Sequence, residues 1–112
     1  MEPMEEELSP ECRGFRVVME LVGSRWSGEI LRSLMTGATR FTEISEAVAG
    51  VSDRLLSERL KTLEASGLVA RTVEPGPPVR IHYALTPKGE DLLKAFGALS
   101  DWADRWIGAS KV

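Results

Sequence analysis

Between Gly67 and Thr86 the hydrophobic period of this 112-residue chain switches from helical to alternating and back. Ahead of the switch, Leu56, Leu60 and Leu63 recur at i, i+4 and i+7, the spacing of one helix face. After it, Leu68 to Val73 and Val79 to Leu85 alternate, with Val79, Ile81, Tyr83 and Leu85 on one side. Between these runs lies Glu74-Pro75-Gly76-Pro77-Pro78, a stiff turn that can continue neither strand. Thr86-Pro87 then supplies a cap and a proline at the first helical position, a strong helix start. A two-stranded hairpin with a rigid tip is therefore expected inside an otherwise helical chain.

The helices can be placed by the same reading. Phe15, Val18, Met19 and Val22 form a stripe that ends at Gly23. Ser24 is expected to cap a second helix carrying Trp26, Ile30, Leu31 and Leu34 and stopping at Gly37. A short extended piece, Thr39 to Phe41, follows. Thr42 is expected to cap a short third helix on Ile44, Ala47 and Val48, with no capping box from Ser45. Ser52 caps a fourth helix running from Asp53 to about Ser66, closed by Gly67. The last helix runs from Pro87 to about Ile107. Helix, helix, short strand, helix, helix, hairpin, helix is a mainly α (α+β) order. With the turn Ala49-Gly50-Val51 between helices three and four, it reads as a helix-turn-helix followed by a wing.

Length and composition limit what such a chain can do. The length fits one domain. No apolar run approaches the roughly 18 residues that suggest a membrane span, and no basic leader followed by an apolar stretch opens the chain. A single cysteine excludes an internal disulfide framework and a multi-cysteine zinc site. The sequence holds no phosphate-binding glycine loop, no nucleophile elbow and no zinc-protease signature. A cytoplasmic protein that is not an enzyme, with no cofactor, no metal and no membrane partner, is expected.

The net charge of −3 argues at first sight against nucleic acid. Its distribution alters that. Glu2, Glu5, Glu6, Glu7 and Glu11 belong to an acidic tail over residues 1–11, expected to be poorly ordered. From Cys12 onward, 14 basic residues face 12 acidic ones, a net of +2. Residues 12–112 are read as the winged domain with its terminal helices.

At about 100° per residue, burying Leu56, Leu60 and Leu63 turns Arg54, Ser57, Glu58 and Lys61 outward. Arginine can fork onto guanine in the major groove, and Ser or Lys can reach bases or phosphates. The first amides of this helix, at Ser52 and Asp53, suit a phosphate. Arg80 beside the hairpin tip, with Arg71 on the opposite strand, fits a wing laid along the minor groove or backbone. Arg40 and Thr42, at the start of helix three, could hold a phosphate. For each arginine a surface salt bridge, with Glu74 or Glu43 for example, is the competing reading. The candidate DNA set is Arg40, Thr42, Ser52, Arg54, Ser57, Lys61 and Arg80. His82 and Tyr83 read as strand residues without a special role.

The final helix carries Leu92, Phe96, Leu99, Ala103 and Trp106 on one stripe, widened by Leu93, Trp102 and Ile107. That exceeds what one small neighbour needs. Packing against helix one within the chain is one reading. The other is a homodimer face built from Phe15, Met19, Leu92, Phe96, Leu99, Trp102 and Trp106, which would set two reading helices one DNA turn apart. Cys12, just before helix one and beside Arg13, sits in the setting of a reactive thiol. An inert small apolar residue is the alternative.

These residues together resemble the HxlR-type winged helix-turn-helix regulators, of the broad MarR-like group. The resemblance is carried by Cys12-Arg13, Val22 to Trp26, Ile30 to Leu34, Arg40 to Ile44, Val51 to Leu60, Leu63 to Val69, Tyr83 to Gly89, and the closing Trp102 and Trp106. It implies a dimeric transcription factor, often a repressor, that reads double-stranded DNA with the helix at Ser52 to Ser66 and has its wing at Glu74 to Arg80. It also implies that Cys12 occupies the position through which some members sense quinones, aldehydes or oxidants. Ser24-Arg25 stands where a Gly-Lys pair is common, and the acidic tail lies outside the family pattern. Three alternatives remain: regulation by a small-molecule ligand, a thiol-based oxidant sensor, and a winged-helix protein–protein module without DNA.

Overall fold

A computed structural model describes residues 10–108 of the chain. Five helices and one hairpin follow in order: α1 (Pro10–Val22), α2 (Ser27–Met35), α3 (Phe41–Ala47), α4 (Asp53–Ala65), β1 (Val69–Glu74), β2 (Arg80–Leu85) and α5 (Pro87–Trp106). Two antiparallel strands make the sheet, with Val69 opposite Leu85 and Glu74 opposite Arg80. The mainly α, α+β winged helix-turn-helix expected from the sequence is the fold observed.

The core is built around α2. Ile30, Leu31 and Leu34 from that helix meet Ile44 and Val48 from α3, and Leu56, Leu60 and Leu63 from α4. Leu68, Val69 and Leu93 close it from the hairpin base and α5. Leu56, Leu60 and Leu63 are buried as their spacing requires. Burying a side chain of this kind stabilises the fold by about 1.5–3 kcal/mol relative to exposure.

Several helix starts differ from expectation. Ser24 does not cap α2. Its hydroxyl donates back to the Glu20 carbonyl at 3.0 Å, so it closes α1 instead. The N-cap of α2 is Trp26, held at φ 80° in the left-handed region with no side-chain cap bond. A bulky residue adopts that conformation only where its surroundings impose it. Here the ring packs against the core and the Arg25 guanidinium lies 4.8 Å over it. Trp26 is thus a corner ahead of α2 rather than part of its stripe.

Thr42 does not cap α3 either; Arg40 does, and Thr42 lies inside the first turn. The Glu43 carboxylate reaches back to accept the Thr39 amide at 2.8 Å and the Arg40 amide at 3.1 Å. This is the glutamate arm of a capping box. Thr39 to Phe41 is not a strand. The Thr39 carbonyl only accepts the Tyr83 amide at 2.7 Å, a single bond to the outer edge of β2. At the chain start, Pro10 and Glu11 begin α1, so Cys12 lies within that helix rather than before it. Proline suits the first helical position because the amide it lacks would have no partner inside the helix. The rest of the expected tail, residues 1–9, lies outside the described residues.

Candidate nucleic-acid interface

Helix α4, whose outward face carries Arg54, Ser57 and Lys61, is anchored at both ends. Ser52 starts α4 by accepting the Leu55 amide at 3.1 Å. At the other end, Gly67 takes a positive φ of 79°. This lets Leu68 donate to the Leu63 carbonyl at 3.0 Å and Gly67 to the Glu64 carbonyl at 3.0 Å. These two bonds form a Schellman closure, with Leu63 and Leu68 both buried as its apolar contact.

The run Thr86-Pro87-Lys88-Gly89 then clasps that closure. Thr86 donates its hydroxyl to the Gly67 carbonyl at 2.6 Å and accepts the Gly89 amide at 3.0 Å. The Lys88 ammonium donates to the Ser66 carbonyl at 2.8 Å, placing a cation on the negative end of α4. Gly89 is buried so closely against the Leu68 carbonyl that a Cβ there would collide with it. Midway along α4, Arg59 donates to the Arg25 carbonyl at 2.9 Å, tying the helix to the corner before α2. Sequence reading missed Lys88 and Arg59, because both partners are backbone carbonyls more than twenty residues away.

On this rigid helix Arg54, Ser57 and Lys61 point away from the core. Arg54 is 90% exposed, its only ion pair among the described residues being with Glu58 at 3.6 Å. Such a surface pair is worth little and yields readily to a phosphate or a base. Ser52 and Lys61 are exposed and Ser57 is half-buried. The Ser52 hydroxyl takes the Leu55 amide, two residues beyond the Ser52 and Asp53 amides expected to meet a phosphate.

Arg40 and Thr42 are exposed at the start of α3. The Thr39 and Arg40 amides hold the Glu43 carboxyl below the usual carboxylate range. Those two amides are therefore occupied, while the side chains of Arg40 and Thr42 stay exposed to meet an anion. Arg80 is exposed at the hairpin's outer end, facing Glu74 across the ladder. Glu74 approaches His82 at 3.4 Å.

The outer helices present a different surface. Phe15 is 67% exposed, Trp102 54% and Trp106 69%, while Met19 and Leu99 also lie open. Leu92 and Phe96, from the same expected set, pack partly onto the chain's own core, and Leu93 is buried in it. An open groove of about 670 Å³ separates Val17, Val18 and Leu21 of α1 from Asp91 and Leu92 of α5. Helix one therefore does not cover the stripe within the chain. Cys12 is exposed on α1, three residues before Phe15 and seven before Met19. Among the described residues, no three His, Cys, Asp or Glu side chains converge to hold a metal, and no helix is long and apolar enough to cross a membrane.

Comparison with known proteins gives this geometry its setting. A regulator named YvaP from Bacillus subtilis (strain 168), described as an uncharacterized HTH-type transcriptional regulator, is 44% identical over 102 residues, 91% of this chain and 94% of its own. The reduced form of the transcriptional regulator YodB from B. subtilis superposes with a TM-score of 0.78 at 39% identity, covering 88% of this chain and 94% of that one. YodB has also been solved diamide-treated and quinone-bound. A MarR-family regulator from Enterococcus faecalis V583 superposes at 0.80 with 26% identity, over 94% of each chain. The model of the HxlR-like helix-turn-helix family matches residues 21–111. The chain belongs to the HxlR-like helix-turn-helix family, a class of DNA-binding transcriptional regulators and not of enzymes.

Proposed function

We propose that this regulator is a homodimeric repressor that binds a pseudo-palindromic operator in double-stranded DNA. The observation that carries the reading is a pairing of surfaces. A clamped, outward-facing reading helix stands beside a wing, while a separate apolar stripe on α1 and α5 is left open. Arg54 would read a base edge, with Ser57, Lys61, Arg80, Ser52, Arg40 and Thr42 placed for backbone or base contact. Phe15, Met19, Leu99, Trp102 and Trp106 would be covered by a second copy, with Leu92 and Phe96 at the inner edge.

Selecting duplexes from a random pool, then titrating them by mobility shift, tests this. Two protomers per site and a twofold-related motif are expected, with Arg54→Ala weakening binding by about 1–3 kcal/mol. Failure to select any duplex at low salt would favour a protein–protein module. A transcription assay with the selected site upstream of a reporter separates repression from activation.

A thiol signal is the second reading. It is favoured by the exposed Cys12 on the same helix as Phe15 and Met19, and by YodB having been solved in reduced, diamide-treated and quinone-bound forms. Oxidants or electrophiles should release the wild-type protein from DNA and leave Cys12→Ser bound. A fully responsive Cys12→Ser protein would favour a non-covalent small-molecule signal.

A further inference from the structure

A polar cleft of about 290 Å³ lies between the reading helix and the wing, lined by Ser57, Leu60, Lys61, Glu64, Arg71 and Tyr83. Ser57, Lys61 and Glu64 stand at i, i+4 and i+7 on α4, and so share one face. Arg71 and Tyr83 are directly opposed in the β1–β2 register. The cleft thus has a helical wall and a strand wall, and its inventory is two cations, two hydroxyls and one carboxylate.

A helix in the major groove and a hairpin tip in the neighbouring minor groove must straddle something. The two grooves are separated by one sugar–phosphate strand, so that strand runs between the helix and the hairpin. We infer that this cleft seats a backbone phosphate of that strand, held by Arg71 and Lys61 and flanked by the Ser57 and Tyr83 hydroxyls. The inference rests on the DNA-binding reading above and adds Arg71 and Tyr83 to it as positioning residues. Arginine suits the role, because its planar fork meets two phosphate oxygens at once. Tyr83 is held in place by its packing on the core and by its amide bond to Thr39. Glu64 opposes the charge and tempers the affinity.

Fluorescence anisotropy with a selected operator and with random duplex, over a series of potassium chloride concentrations, tests the seat. Arg71→Gln is expected to weaken binding to both duplexes by the same factor, about tenfold. It should also flatten the dependence of log K on log salt by about 1.8, the change for two lost phosphate contacts, one per half-site. Tyr83→Phe should lose less, and Glu64→Gln should bind more tightly. Operators carrying one neutral methylphosphonate at successive positions locate the contact. One position per half-site should weaken the wild type clearly more than it weakens Arg71→Gln, which keeps only Lys61 there.

The inference is overturned if Arg71→Gln keeps the wild-type affinity and salt slope, or if no methylphosphonate position couples to it. It is also overturned if the variant changes which sequence is preferred, since that marks base readout. A wild-type protein that binds the operator beside an indifferent Arg71→Gln sinks the seat alone. A wild-type protein that binds no duplex sinks the DNA reading with it.

Discussion

The two halves of this molecule treat apolar side chains in opposite ways. Around α2, α3, α4 and the hairpin base, the large aliphatic residues are buried, and Ile30, Leu31, Ile44, Leu56 and Leu63 have no exposed surface at all. Along α1 and the far part of α5, apolar side chains as large or larger stand in water, among them Phe15, Leu99, Trp102 and Trp106. The first half has its partners within the chain. The second half has the composition of a core and lacks its other side, as expected of a surface whose complement lies in another copy. Burial also follows the proposed function: the half that would hold a helix steady against DNA is closed, and the half proposed to meet a second copy is open.

The comparison breaks most easily at its closed side. Leu60→Ala should lower unfolding stability by about 2–5 kcal/mol, read by chemical denaturation, because the well-packed site leaves a cavity. A loss below about 1 kcal/mol would mean that the reading half is loosely packed. The open side should respond differently. Trp102→Ser with Trp106→Ser should cost at least about 2 kcal/mol of dimer affinity by sedimentation. The protomer fold, followed by circular dichroism at high dilution, should persist. If instead the fold collapses without any change in association, the stripe belongs to the protomer.

Smaller effects sharpen the boundary between the halves. Thr86→Ala removes the cap of α5 and the bond to Gly67 together, and should cost about 1 kcal/mol. Because the clasp joins α4 to α5, weaker DNA binding should accompany that loss. Glu43→Gln should have the smallest effect, and one that depends on pH. The Glu43 carboxyl is held below its usual range by the Thr39 and Arg40 amides. Its contribution is therefore full above the ordinary carboxylate pKa and disappears as pH falls through the lowered value. Thermal midpoints of wild type and Glu43→Gln should differ at neutral pH and converge in acid. Convergence at neutral pH would remove Glu43 from the start of α3.

How much of this was legible in the sequence depended on the range of the interactions. The α4 helix, its Ser52 cap, its Gly67 closure and the hairpin could be read, because spacing and turn chemistry are local. The Thr86-Pro87 start was local too. The beginning of α2 was not, because Trp26 takes its left-handed conformation from packing and from Arg25, and Ser24 turns back to α1. The Arg40 cap was hidden because arginine is a poor N-cap, and the decisive group is a glutamate three residues on. Arg54, Ser57 and Lys61 could be placed outward from periodicity alone. The cleft of Arg71 and Tyr83 could not, since it exists only where a strand pair stands beside a helix face.

The clasp at Thr86 and Lys88 has a mechanical consequence. It ties the last turn of α4 to the first turn of α5, so a tilt of one helix would be carried to the other, as in a bent bar. With 20 residues, α5 is about 30 Å long. A tilt of about 5° moves the far end of such a bar by roughly 2.6 Å, comparable to the shifts of about 1–2 Å by which helices slide at subunit interfaces. In the proposed dimer the tryptophan end is the handle and the reading helix is the tip. Repacking near Trp102 and Trp106 would then change the distance between two DNA-reading surfaces without altering any residue that touches DNA.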